Sequence, residues 1–259
     1  MKVLIFGQSG AGKTTLCKNI KKIMTDRVVH INADQMRHEA DDWDFSEQGR
    51  WRQFRRMLNK ADEVSDSGKI ALVDFICPYK SAREQFDADL TIFMSTVVNS
   101  KYEDTNQIFE WPEWTEYDFD IHEWDDDDPV EVCWSIGQRI WEDEFPTVQM
   151  LGRWQPWHEG HEALLERCLE KAPQVNIMIR TMMWGDNNPF SVTEVKNNLR
   201  EKLAHLAGIV KISIVPNIIN ITYGRKVGYT IEQEHFDKEI EDISACLLYT
   251  SDAADELSC

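Results

Sequence analysis

The chain has 259 residues, 42% of them hydrophobic, enough to fill the cores of two ordinary domains. A formal net charge of −18 and a pI near 4.8 argue against a sequence-independent nucleic-acid binder, whose phosphate-facing surface is basic. No segment approaches the roughly 18 apolar residues of a membrane span, and the chain enters a strand directly, so a cytoplasmic protein is expected, without nucleic-acid or membrane partners.

The first element is an apolar run, Val3 to Phe6, bounded by glycine, which reads as a buried parallel strand. It leads into Gly7, Gln8, Ser9, Gly10, Ala11, Gly12, Lys13, Thr14 and Thr15, the spacing G-x-x-x-x-G-K-T of a phosphate-binding loop (P-loop). Glycines let backbone N–H groups close around phosphate, and the following helix start adds partial positive charge. Lys13 then reaches the β/γ-phosphates of a nucleotide, and the Thr14 hydroxyl is a ligand for Mg²⁺.

Leu16, Ile20 and Ile23 recur at helical spacing, and the strand at 28–31 delivers Asn32, Asp34 and Arg37 to the carboxyl edge of a sheet. Trp51, Phe54, Leu58, Ala61 and Val64 predict a helix over 49–67, with Arg50, Arg52, Arg55 and Arg56 on its other face. The apolar run 70–73 ends at Asp74, in the manner of a strand-tip carboxylate that helps hold Mg²⁺; a plain turn aspartate remains the alternative. A further strand is expected at 88–94. Alternating strands and helices imply a parallel α/β sheet with right-handed crossovers.

The loop at 7–16, the run Asn32 to His38, Phe45-Ser46-Glu47 with Arg50 and Arg55-Arg56, and Phe75-Ile76-Cys77-Pro78-Tyr79 resemble adenylylsulfate kinase in order and spacing, over about the first 110 residues. The resemblance implies an ATP-dependent kinase in which Asp34 acts as base or orienting group. It also implies that Arg37 and Arg50 hold the acceptor's phosphate, and that Phe45 and Phe75 sandwich its adenine. The chain departs from the family pattern at Asn32 and Gln53, and residues 103–110 are acidic where the family's lid is basic.

Residues 111–128 are aromatic and acidic without periodicity and read as an irregular lid or linker, with Asp125 to Asp128 opening a helix before Pro129. A helix over 130–141 closes the first domain, placed at 1–143.

A new strand at 147–151 runs into Gly152, Arg153, Trp154, Gln155, Pro156, Trp157, His158, Glu159, Gly160 and His161, followed by a helix. Gly160 lets the helix start approach a triphosphate, and His158 and His161 can donate to its oxygens as charge builds on the α-phosphorus. The H-x-G-H signature resembles the nucleotidyltransferase superfamily, and its longer form looks like the nicotinamide-mononucleotide adenylyltransferase branch. That implies a Rossmann-like domain at 146–245 using ATP or CTP. A strand at 175–180, a helix capped by Ser191 and a strand at 211–215 follow. Tyr223 and Arg225 lie in a basic, aromatic turn suited to an acceptor phosphate, or in an ordinary surface turn.

Residues 246–259 resemble the translation of a sequencing adapter and are expected to be a non-native tail; the superfamily's closing T-x-x-R is not found before them. The six cysteines form no C-x-x-C pair and are expected to be buried free thiols. Taken together, these features predict two α/β domains, a P-loop parallel sheet and a Rossmann-like nucleotidyltransferase sheet, binding small nucleotides and phosphorylated acceptors. Three readings stay open: two independent activities, two steps of one pathway such as NAD salvage or sulfate activation, or a nucleotide-gated binding protein with degenerate sites. Homo-oligomerisation is also left open.

Overall fold

The computed structural model describes residues 1–126, 128–183, 185, 188–222, 224, 228 and 230–236. Tyr223, Arg225 and the segment 237–259 lie outside the described residues. The chain divides into two compact units, Met1–Arg139 and Ile140–Cys259, a few residues ahead of the boundary expected from sequence.

Among the described residues, unit 1 is built on five strands: β1 (Lys2–Gly7), β2 (Val28–Asn32), β3 (Ile70–Asp74), β4 (Leu90–Met94) and β5 (Phe119–Ile121). They form one sheet in the order β2-β3-β1-β4-β5, with every neighbouring pair parallel. The central strand, β1, is buried along Val3, Leu4, Ile5 and Phe6, as its unbroken apolar run requires when helices cover both faces. β5 corrects the expectation of a wholly irregular 111–128. Three residues there pair with Ile92, Phe93 and Met94 of β4, too short a strand to leave an alternating pattern.

The helices follow from apolar spacing and from caps. In α1 (Lys13–Met24), Leu16, Cys17, Ile20 and Met24 face inward. In α2 (Ala33–Glu39), the Asn32 side chain accepts from the backbone N–H of Gln35, satisfying an otherwise orphaned donor. In α3 (Glu47–Asp66), Ser46 caps in the same way and Phe54, Met57, Ala61 and Val64 pack on the sheet. The remaining helices are α4 (Lys80–Phe86), α5 (Glu103–Ile108) and α6 (Asp128–Ile140), the last burying Val132, Cys133 and Ile136.

Unit 2 carries β6 (Thr147–Gly152), β7 (Gln174–Arg180) and β8 (Val210–Val215), all parallel in the order β6-β7-β8. Between them run α7 (Glu159–Lys171) and α8 (Val192–Lys202). α8 opens with a reciprocal cap, Ser191 Oγ accepting from Glu194 N while the Glu194 carboxylate accepts from Ser191 N. No helix among the described residues is long and apolar enough to cross a membrane. Cys17, Cys77, Cys133 and Cys168 are buried free thiols, as expected; Cys246 and Cys259 lie outside the described residues.

Candidate nucleotide sites

Parallel register brings the tips of three strands to one edge of unit 1. Asn32 of β2 pairs with Asp74 of β3, and Ile5 of β1 pairs with the same Asp74, so β1 releases its glycine loop beside that carboxylate. At Gly7 the backbone has φ +144°, and a Cβ would stand 2.3 Å from the Met94 carbonyl oxygen, so only glycine lets the loop leave β1 against β4. Thr96 Oγ1 then donates to the Ala11 carbonyl at 2.8 Å, bracing the far side of the loop.

Lys13 lies across this loop, its Nζ donating to the carbonyls of Gly7 at 3.0 Å and Gln8 at 2.7 Å. Burial pulls its pKa down to about 8, against the opposing fields of Asp74 and Asp34. A polyphosphate arriving in the loop would exchange those two neutral acceptors for charged ones, which an ammonium prefers. Gln8 is buried, and its Oε1 has no partner.

Behind the lysine, Thr14 Oγ1 donates to Asp74 Oδ2 at 2.5 Å. Asn32 Nδ2 reaches Thr14 Oγ1 and both Asp74 oxygens, and His30 Nε2 lies 3.0 Å from Asp74 Oδ1. Burial alone would raise the Asp74 carboxyl, but the hydrogen bonds of His30, Thr14 and Asn32 outweigh it and hold the pKa below the ordinary value. The hydroxyl and the ionised carboxylate are hard oxygen donors of the kind Mg²⁺ takes. His30 and Asn32 stand two residues apart on β2 and so share a face, a signal in the sequence that points to the imidazole.

The residues that the resemblance assigns to the acceptor are not equally disposed. Asp34 is exposed in the first turn of α2. Arg37 is buried and spends Nη1 on the carbonyls of Asp42 and Asp44, with its guanidinium 4.6 Å from the Phe45 ring centroid. Arg50 donates from Nε to the Phe45 carbonyl and from Nη2 to Asp104 at 2.6 Å. Arg52 and Arg56 both bind Asp42, and Arg52 also binds Asp44. Hydrogen bonds from Ser46 and Arg52 hold the Asp44 carboxyl down to about 2. Phe45 is 51% exposed and offers a ring face, whereas Phe75 is only 8% exposed and packs between Phe54 and Phe86 in the core. The expected aromatic sandwich is therefore half built, Phe45 presenting its ring and Phe75 turned into the apolar interior.

In unit 2, Gly152 ends β6 where a Cβ would stand 2.6 Å from the Trp154 indole. That indole donates to the Met178 carbonyl and packs edge-on to His161. Gln155 makes two bonds to Phe190, accepting from its N–H and donating to its carbonyl, which ties the turn after β6 to the segment before α8. Arg153 is exposed, and Gly160 lies in the first turn of α7. His158 and His161 have ring centroids 3.7 Å apart, and His161 Nδ1 accepts from His158 N. Burial, then the neighbouring His158, lowers the His161 pKa to about 3, and burial also lowers that of His158, so both rings are neutral near pH 7. Among the described residues, His158 Nδ1 and Trp157 Nε1 of this turn are buried without a partner, as is Asn188 Oδ1 in the segment before α8.

The parallel sheet, the glycine loop at the centre of its carboxyl edge, the lysine and the strand-tip carboxylate define unit 1 as a P-loop α/β domain. Residues 1–107 match the adenylylsulphate kinase family. The chain is 32% identical over 96 residues to a probable adenylyl-sulfate kinase of Archaeoglobus fulgidus, covering 36% of this chain and 62% of that one. It is 35% identical over 82 residues to the adenylyl-sulfate kinase of Vibrio cholerae (30% and 38%), and 33% identical over 81 residues to the bifunctional enzyme NodQ of Rhizobium meliloti (30% and 13%). It thus spans less than two thirds of the length of these relatives. Among solved structures, a mutant of the Mycobacterium tuberculosis APS kinase CysC is similar at 21% identity and a TM-score of 0.42, covering 51% of this chain and 92% of that one. The hexameric APS kinase of Thiobacillus denitrificans is similar at 24% identity and 0.41, covering 54% and 28%. The family match ends at residue 107, ahead of unit 2.

Proposed function

We propose that unit 1 is an ATP-dependent kinase that phosphorylates a hydroxyl of a small, adenylylsulfate-like acceptor. The observation that carries this reading is the cluster of Lys13, Thr14 and Asp74 at one sheet edge behind a glycine loop. Phosphoryl transfer asks for in-line positioning and neutralisation of charge more than for covalent chemistry. Lys13 neutralises the phosphates, the loop N–H groups hold them, and the exposed Asp34 orients the attacking hydroxyl. Thr14 and Asp74 would hold Mg²⁺, which when bound supplies positive charge to the phosphate oxygens. The test is ADP formation from ATP with adenylylsulfate and a panel of other hydroxyl acceptors, in the intact chain and in Lys13→Ala. Acceptor-dependent ADP that vanishes in the variant supports the reading; ADP formation that no acceptor stimulates refutes it.

Unit 2, on the same proposal, is a nucleotidyltransferase that moves AMP or CMP from a triphosphate to a small phosphorylated acceptor and releases pyrophosphate. The support is local: two neutral histidines at the start of α7, and the unpartnered atoms of Trp157, His158 and Asn188. Here the acceptor's own phosphate attacks the α-phosphorus, and the histidines donate to oxygens that gain charge. Pyrophosphate release from ATP or CTP, lost in His161→Ala and retained in Lys13→Ala, is the expected result. The second reading, a nucleotide-gated binding protein, is favoured by the engagement of Arg37 and Arg50 with groups of the chain itself. Under that reading ATP binds without acceptor-dependent turnover.

A further inference from the structure

Three donor groups of different chemistry converge behind the P-loop. Cys17 stands on α1 one helical turn after Thr14, His30 on β2, and Asp74 at the tip of β3. Cys17 is fully buried, and the His30 and Asp74 side chains are 11% and 1% exposed. One ligand atom from each, a thiol sulfur, an imidazole nitrogen and a carboxylate oxygen, lie within 4.8 Å of one another. A point equidistant from three atoms so spaced is under about 3 Å from each, so a contraction of less than about 1 Å reaches the bond lengths of zinc to sulfur, nitrogen and oxygen.

The donor set selects the ion. Mg²⁺ takes oxygen in near-octahedral geometry and has no use for a thiol, whereas Zn²⁺ and Co²⁺ accept sulfur, imidazole and carboxylate in a tetrahedral shell. We propose that Cys17, His30 and Asp74 form a three-ligand site for a borderline-soft divalent cation, Zn²⁺ above all, with a fourth position open to water. On binding, the Cys17 thiol loses its proton to solvent as the sulfur–metal bond forms. His30 gives up to solvent the Nε2 proton that it donates to Asp74, taking one up at Nδ1, so that the freed Nε2 lone pair binds the ion; the ion sheds bound waters, and no group changes oxidation state. Because Asp74 belongs to both arrangements, zinc at this site and Mg²⁺ with a nucleotide exclude one another, and the chain is inhibited by zinc.

The inference stands on the three donors and not on the identity of the acceptor, and its test reads the metal directly. Titration of the intact chain with Co²⁺, without nucleotide, is expected to give the near-ultraviolet band of a thiolate–cobalt bond together with the visible bands of a tetrahedral ion. Cys17→Ser is expected to abolish the thiolate band, His30→Asn to weaken cobalt binding at least tenfold, and Zn²⁺ to displace the cobalt. Absence of the thiolate band at millimolar Co²⁺ would overturn the site, as would its persistence in Cys17→Ser, which places the metal on another cysteine. Should Cys17→Ser lose its fold by circular dichroism, Cys17→Ala answers the same question.

Discussion

Arg50 on α3 and Asp104 on α5, 54 residues apart in the chain, meet at 2.6 Å, and the arginine side chain is only 11% exposed. The arginine that the family resemblance assigns to an anionic acceptor is thereby already neutralised, by a residue of the acidic segment that stands where a basic lid is expected. An incoming phosphate competes with Asp104 for Nη2. We expect Asp104→Asn to lower the KM for adenylylsulfate or any other anionic acceptor about tenfold, with little change in the KM for ATP. Steady-state kinetics with each substrate varied in turn checks this, and an unchanged acceptor KM would remove Arg50 from the acceptor site.

Lys13, its pKa pulled down to about 8 by burial, must carry its proton to attract polyphosphate. Bound phosphate raises that pKa, so protonation and binding are linked. Affinity for ATP should be flat below pH 8 and fall by up to tenfold per pH unit above it, until the pKa of the complex is reached. Calorimetric titration between pH 7 and 10 reads this slope. In Lys13→Ala the slope should disappear along with at least 100-fold of affinity or turnover.

His161 is the group to watch in the acid range. Its folded pKa of about 3 lies below the ordinary value near 6.5, so the unfolded chain takes up the proton first. Its contribution to stability is whole above about pH 6.5 and declines steadily as pH falls toward 3. Melting temperature followed from pH 7 to 4 should drop less steeply in His161→Asn than in the parent chain.

The two phenylalanines assigned to one adenine should part company on mutation. Phe75 is core, and Phe75→Ala is expected to cost about 3–5 kcal/mol of stability through the cavity it leaves beside Phe54 and Phe86. Phe45 lies on the surface between two arginines, and Phe45→Ala should leave the melting temperature within a degree or two while raising the acceptor KM. Comparable destabilisation by both would place Phe45 in the core and not at a ligand face.

Long periodic segments were legible from residues alone. The apolar runs of β1 and β3, the heptad-like spacing in α3 and the Ser191 cap each carry their own local signal, and the structure has them within a few residues. The P-loop was legible because its constraint is also local, glycines, lysine and helix start within nine positions. Short or distant partnerships were not. β5 is three residues long and owes its existence to the neighbouring edge of β4. The bonds of Arg50 to Asp104, of Arg83 to Glu116 and of Gln155 to Phe190 join positions 33 to 54 apart, and no spacing rule reaches across that interval. Phe75 shows the remaining limit: a motif position says which residue stands there and leaves its direction to the packing around it.

The brace on the phosphate loop bears on how quickly a nucleotide can be taken up. With Gly7 pressed against the Met94 carbonyl and the Ala11 carbonyl held by Thr96, the end of β4 and the residues just after it fix the loop at two points. A loop held at two points has less freedom left to lose when an anion enters it, so, on the proposed kinase reading, Thr96→Ala is expected to slow the capture of ATP.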